Sequence, residues 1–171
     1  MLAWGDTAFL PTFYTLQAQY LARYPTHLTT LHSSAILLCG FGGYAAFRAA
    51  NNQRNFARAS NGESTIWGRP ARVVSCTYRT VDGQLHDTIL LGSGWWGMAR
   101  HVNYLADLMQ AFAWCATCGF THILPWSYFF YMCMLLWHRE RRDDRRCHAK
   151  YGEKWEEYCQ LVPWRIVPGV Y

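Results

Sequence analysis

Three stretches of this 171-residue chain carry no Asp, Glu, Lys or Arg: Thr7–Ala22, Tyr24–Phe47 and Leu108–Trp137. A helix that crosses a bilayer needs about 20 mostly apolar residues. The second stretch reaches that length, with its most apolar part at Ala35–Phe47. The third is long enough for a helical hairpin. Gly119 and Pro125 punctuate it, leaving arms at Leu108–Cys118 and Ile123–Trp137. The first is interrupted by Pro11, Gln17 and Gln19, and polar residues in such helices face a neighbour or a cavity. The pattern predicts an all-α membrane protein, a multi-helix transmembrane bundle.

Polar segments lie between and after these stretches. Val73–Thr80 alternates apolar and polar positions, Asp82-Gly83 is a turn dipeptide, and Gln84–Leu91 follows, so a short β-hairpin is predicted near 73–91. A Gly-rich aromatic loop, Gly92-Ser-Gly-Trp-Trp-Gly97, comes next. After Trp137 the chain reads as a polar helix continuing to Tyr158, and Val162–Tyr171 reads as an extended tail.

Composition supports the membrane reading. Aromatic residues make up 17% and charged residues only 16%. Trp and Tyr favour water–lipid boundaries, where one part of the ring is dry and the other wet. The net charge of +5 is unevenly spread, since Arg139–Arg146 alone holds five Arg. That run suits a solvated helix face, an anion site or a cytoplasmic membrane flank. The seven Cys show no disulfide spacing, and the single CxxC, Cys115–Cys118, lies in an uncharged run, so no metal or redox role is expected. The start, Met1–Asp6, has no basic segment of the signal-peptide type.

Basic and polar groups gather at the edges of the apolar stretches. Arg54 and Arg58, at i and i+4, would share a helix face. Arg100, His101, Asn103 and Tyr104 open the third stretch, and Arg139, Arg142, Asp143, Arg146, Lys150 and Tyr151 follow it. Brought together, they would form a polar pocket at the edge of the bundle for a large anion with an aromatic part. Guanidinium groups fork onto phosphates and aromatic rings stack on flat heterocycles. A dinucleotide with an extra ribose phosphate fits. Gly92-x-Gly94-x-x-Gly97 is not read as a dinucleotide fingerprint, because it lacks a βαβ setting and Trp95-Trp96 would crowd the phosphates. His138, Cys147 and His148 do not share a helix face, so no zinc site is expected. No nucleic-acid-binding motif is present.

The segment Leu135–Tyr158 meets every fixed position of the pattern LLxHRxxRDxxxCxxKYGxxWxxY. It thereby resembles the C-terminal signature of the sterol C14/Δ7/Δ24(28) reductase family. Leu91–Asp107, with its SGWWGxARHxNY core, resembles a second block of that family, and Leu2–Asp6 with Leu10–Tyr20 a third. Ile66–Arg69, Val73–Tyr78 and the Pro168–Tyr171 ending are similar to its Δ7 branch.

The resemblance implies a multi-pass membrane protein of the endoplasmic reticulum that uses NADPH to reduce the sterol C7=C8 double bond. By positional match, cofactor contacts would fall on Arg54, Arg58, Leu91, Trp96, Asn103, Tyr104, Asp143, Cys147, His148, Ala149, Lys150, Tyr151 and Tyr158. The family commonly has Lys at the position of Arg54, which keeps the charge but changes the geometry. Asp143 and Tyr158 are candidates for a proton relay, with cofactor binding alone as the plainer role. Implied partners are a sterol and the lipid bilayer, with no metal and no nucleic acid; association with other sterol-pathway enzymes is compatible. The resemblance also implies that residues 1–171 correspond to the C-terminal, NADPH-holding part of longer relatives, whose N-terminal helices are absent here. Reduction of the Δ14 or Δ24(28) bond, an isoprenylcysteine methyltransferase-like enzyme using S-adenosylmethionine, and a non-catalytic membrane module are the alternatives.

Overall fold

A computed structural model describes residues 10–80 and 82–171; the Leu2–Asp6 block lies outside the described residues. The chain is mostly helical: α1 (Leu10–Arg23), α2 (Thr30–Ala59), α3 (Trp95–Met98), α4 (Val102–Ala116), α5 (Ser127–Tyr151) and α6 (Glu153–Leu161). Two antiparallel hairpins stand between α2 and α3: β1 (Thr65–Ile66) with β2 (Arg69–Pro70), and β3 (Val73–Arg79) with β4 (Leu85–Leu91). The mostly helical chain with one short hairpin is as expected, and the β1–β2 hairpin is an addition to it. The β3–β4 hairpin is the predicted one, in register from Val73 opposite Leu91 to Arg79 opposite Leu85.

No described helix is long and apolar enough to cross a membrane. The reason is visible in each helix. In α2 the apolar part ends at Phe47, and Arg48 opens a polar half with Arg54 and Arg58. In α5 the apolar part ends at Trp137, and charged residues follow. Helix α4 has only 15 residues. The expected spans thus form only the apolar parts of helices, and those that continue do so as polar helix.

The chain divides into two compact units, residues 1–44 with 107–135, and residues 45–106 with 136–171. In the first unit, Cys115, Ala116 and Trp126 form a small core with Ile36, Tyr128 and Phe129 against it. Gln17, which weakened the first stretch as a span, is fully buried here. Its Nε2 donates to the Pro125 carbonyl at 2.9 Å, and its Oε1 accepts from the Trp114 indole at 3.3 Å. A buried amide is tolerated when its donors and acceptors are paired. Many large apolar side chains of this unit stay exposed, among them Leu31, Leu38, Phe41, Phe120, Ile123 and Met134.

The second unit is built on the β3–β4 hairpin. Alternation in β3 and a continuous apolar end in β4 give it two buried faces. Val74, Cys76 and Leu90 pack with Trp155, Tyr158 and Val162 of α6 and the chain just after it. Ile89 and Leu91 pack with Ala50 and Ala57 of α2, Trp96, Ala99 and Val102. The aromatic loop is clasped to α2: the Trp95 amide donates to Gln53 Oε1 at 2.8 Å, and the Trp96 indole to the Ala50 carbonyl at 2.7 Å. Gly94 sits at φ +64, and a Cβ there would run into the Gln53 amide, so only glycine fits.

The final segment is not extended. It doubles back, with the amides of Arg165, Ile166 and Val167 donating to the Tyr171 carbonyl oxygen. Arg165 Nη1 binds both oxygens of the fully buried Glu140 at 2.9 and 3.3 Å, and the Tyr171 hydroxyl donates to Glu140 Oε2 at 3.2 Å. An unpaired buried charge is far costlier than a lost surface bridge. Arg165→Met should therefore destabilise the fold by about 3 kcal/mol, read as a shift in the urea midpoint at constant slope. Glu140→Gln keeps an acceptor oxygen and should cost clearly less.

Candidate functional site

A cavity of about 450 Å³ opens in the second unit. Its walls come from α2, β4, the aromatic loop, the start of α4, the polar half of α5, and α6. Arg54 and Arg58 project from one face of α2, as their i, i+4 spacing requires. Trp96 lies beneath Arg54, whose guanidinium carbon stands 4.6 Å from the ring centroid. A cation over an indole face is attracted by the ring quadrupole. Arg54 Nη2 also donates to Asn51 Oδ1 at 3.1 Å. Burial, and then the charge of Arg58, pull the Arg54 guanidinium below its ordinary pKa.

Opposite stands an acidic and aromatic group. The Tyr104 hydroxyl donates to Asp143 Oδ2 at 3.0 Å, joining α4 to α5. His101 stacks on Tyr104 with centroids 4.7 Å apart and ring planes 15° from parallel. Burial holds the His101 imidazole down to about 4, against a smaller opposing pull from Asp143. Arg139 lies 5.8 Å from the Tyr104 ring. The Tyr158 hydroxyl donates to the Leu91 carbonyl at 3.1 Å, and burial raises its pKa. Its proton is therefore held and already engaged. Burial, then Asp143, push the Cys147 thiol up to about 11, so Cys147 is a protonated wall residue and not a nucleophile. Lys150 stands 3.5 Å from the Tyr78 ring centroid and 5.1 Å from that of Tyr151.

Of the residues expected to hold a cofactor, Arg54, Arg58, Leu91, Trp96, Asn103, Tyr104, Asp143, Cys147, Lys150, Tyr151 and Tyr158 all line this cavity. His148 and Ala149 do not. Both are exposed, and His148 Nε2 instead lies 3.2 Å from Glu156. Arg100, His101, Arg139 and Arg146, grouped at the edges of the apolar stretches, also reach the wall, whereas Arg142 does not. Sequence reasoning missed Ile89, Leu90 and Trp155. The continuous apolar end of β4 and the fixed Trp of the signature were the available signals.

Among the described residues, six cationic side chains line the cavity (Arg54, Arg58, Arg100, Arg139, Arg146 and Lys150), against the single carboxylate of Asp143. Arg100 is partly neutralised by Asp144, 3.6 Å away, and donates to the Cys159 sulfur. Three buried atoms of wall residues, Arg54 Nε, Arg100 Nε and Asn103 Oδ1, have no hydrogen-bond partner. Buried polar atoms are normally paired, and these three lie behind the cavity surface, so the accessible charge of the wall comes from the guanidinium and ammonium groups that line it. The cavity suits a polyanion with flat aromatic parts. The Gly-rich loop serves it indirectly, by seating Trp96 through Gln53 and Ala50, rather than as a phosphate-binding turn.

Comparison with known proteins bears on this geometry. The model of the ergosterol biosynthesis ERG4/ERG24 family matches residues 1–171. The 7-dehydrocholesterol reductase of Xenopus laevis is 46% identical over 170 residues, covering 99% of this chain and 36% of that protein. The Delta(14)-sterol reductase of Methylotuvimicrobium alcaliphilum is 47% identical over 172 residues, covering 100% of this chain and 38% of the relative. A probable 7-dehydrocholesterol reductase of Acanthamoeba polyphaga mimivirus is 42% identical over 171 residues, with 37% of its length covered. The chain thus spans little more than a third of the curated relatives it matches.

The half-buried His101 imidazole gives the site a pH signature. Its folded pKa of about 4 lies below the unfolded value near 6.5, so only the unfolded state gains a proton between them. Stability should be unaffected by this group above pH 6.5 and fall as the pH drops toward 4, by up to about 3 kcal/mol. His101→Gln should remove that part of the slope in thermal midpoints measured from pH 7 to 4. An unchanged slope in the variant would assign it to other groups.

Proposed function

The chain belongs to the ergosterol biosynthesis ERG4/ERG24 family, and on that premise we propose that it holds NADPH in the cationic cavity and serves reduction of the sterol C7=C8 double bond. Sterol reduction is the activity that the relatives' names share. The observation that carries the cofactor assignment is the wall itself: Arg54, Arg58, Arg139, Arg146 and Lys150 around Trp96 and Tyr104, against the single carboxylate of Asp143. Guanidinium forks match the phosphates of a dinucleotide phosphate, and the arginines favour the form with the extra ribose phosphate.

When bound, NADPH supplies a hydride. The chain's own residues would do the rest. Arg54, Arg58 and Lys150 hold the phosphates, Trp96 supports Arg54 from beneath, and Tyr151 offers a ring face. Leu91, Tyr158 and Trp155 close the wall against water. An alkene with no electron-withdrawing group accepts hydride poorly, so a proton must reach the other carbon of the bond. Of the two candidates, Asp143 receives the Tyr104 hydrogen bond within the cavity and suits a relay. Tyr158 donates to Leu91 and suits a positioning role.

The finer reading has a rival. Relatives named for the Δ14 bond match this chain as closely as those named for 7-dehydrocholesterol. The Δ7 assignment is supported by the Ile66–Arg69, Val73–Tyr78 and Pro168–Tyr171 segments. A membrane setting is supported by the large apolar side chains left exposed in the first unit, Leu31, Leu38, Phe41, Phe120, Ile123 and Met134 among them. The endoplasmic reticulum is the expected site.

Two measurements test the proposal. A complete reductase carrying this 171-residue segment, expressed in a reductase-null strain, should clear Δ7-sterols; clearance of Δ14-sterols instead would select the rival bond. In the same protein, Asp143→Ala should weaken NADPH binding by about tenfold, the scale of one lost charge-assisted contact, with helical content unchanged. Unaltered affinity would count against the assignment.

A further inference from the structure

A second cavity, of about 530 Å³, lies in the same unit and shares no lining residue with the first. It is bounded by the β1–β2 hairpin and the opposite side of the aromatic loop. Ile66 pairs with Arg69, so Trp67 and Gly68 form a two-residue turn with φ +51 and +76. Positive φ at both positions marks the type I′ turn, for which Asn, Asp or Gly is the favoured first residue. A bulky side chain there is an outlier. A residue held against local preference points to a role for its side chain.

That role is not core packing. Trp67 is 62% exposed, its ring edge-on to Trp95 at 5.6 Å and 74°. Beside it on the cavity wall stand Arg69 and Arg72, both exposed and neither in an ion pair among the described residues. The Arg72 backbone is fixed, its amide bound to Ser93 Oγ at 3.1 Å and its carbonyl accepting from the Gly92 amide at 2.8 Å. The backbone is thus anchored while the guanidinium is left free. Among the described residues no carboxylate lines the cavity, and Met98 and Ile66 give it an apolar side.

We propose that Trp67, Arg69 and Arg72 form a binding site for the phosphate of an anionic phospholipid headgroup. The arginines would fork onto the phosphate oxygens. The indole would rest on the glycerol and upper acyl region, the boundary between wet and dry that Trp prefers. Free phosphate would use the arginines but has no need of the exposed Trp, which is why the lipid is the assigned source. The site is independent of the cofactor cavity and of the bond reduced.

Native mass spectrometry of the full chain released from detergent tests this, with dioleoyl phosphatidate, dioleoylglycerol and ammonium phosphate as probes. Phosphatidate should be retained as a one-to-one adduct, dioleoylglycerol should not, and phosphate should bind far more weakly. Arg69→Gln/Arg72→Gln should reduce phosphatidate retention by roughly tenfold or more. Trp67→Phe should reduce it less, and circular dichroism should show all chains equally folded. Equal retention by the double arginine variant, equal retention of dioleoylglycerol, or phosphate binding as strong as phosphatidate would each overturn the site. Loss of NADPH binding in the double variant with phosphatidate retention intact would do so too, by assigning the arginines to the cofactor.

Discussion

Asp144 is the side chain on which the second unit depends. It accepts the Trp155 indole at 3.0 Å and stands 3.6 Å from both Arg100 and Arg165. Arg165 in turn neutralises the fully buried Glu140 one turn earlier on α5. Four segments thus meet at one run of charges: α5, α6, the residues just before α4, and the final turn. Their backbones are joined as well, the Arg100 and His101 amides donating to the Trp164 and Arg165 carbonyls. Burying such charges costs desolvation, and their return is a single arrangement rather than raw stability.

That arrangement aims the cavity. Asp143 and Asp144 are neighbours on a helix, so their side chains point about 100° apart. Holding Asp144 in the charge network turns Asp143 onto Tyr104 and into the cavity. Arg100, drawn toward Asp144, sets the start of α4, from which His101, Asn103 and Tyr104 reach the wall. From the other side, Gln53 and Ala50 hold the aromatic loop so that Trp96 lies under Arg54. The cationic wall is therefore mounted on elements that are fixed before any ligand arrives, which is what selective binding of a flexible polyanion requires.

Much of this was legible along the chain, for identifiable reasons. The β3–β4 hairpin announces itself by period-two alternation and an Asp-Gly turn. Arg54 and Arg58 declare a shared face by their spacing, and Leu135–Tyr158 carries a long, specific signature. The cavity residues that followed from these were found. His148 and Ala149 fill variable positions of that signature and turn outward, so a positional match alone could not separate them from Cys147 and Lys150. Glu140 with Arg165 and Gln53 with Trp95 were invisible, because partners 25 and 42 residues apart are chosen by the fold and not by local pattern. The β1–β2 hairpin was hidden by Trp67, which occupies a turn position that ordinarily signals itself with Asn or Gly. The apolar stretches were read correctly as helix, but their polar halves, which carry the cavity, leave no described helix long and apolar enough to span a bilayer.

The central claim is that this cavity recognises a phosphorylated dinucleotide through its arginines. Calorimetric titration of the chain with NADPH, NADH and S-adenosylmethionine tests it most directly. The account predicts saturable one-to-one binding of NADPH, weaker binding of NADH, which lacks the extra phosphate on the adenosine ribose, and no binding of S-adenosylmethionine. Binding of S-adenosylmethionine with indifference to NADPH would contradict it.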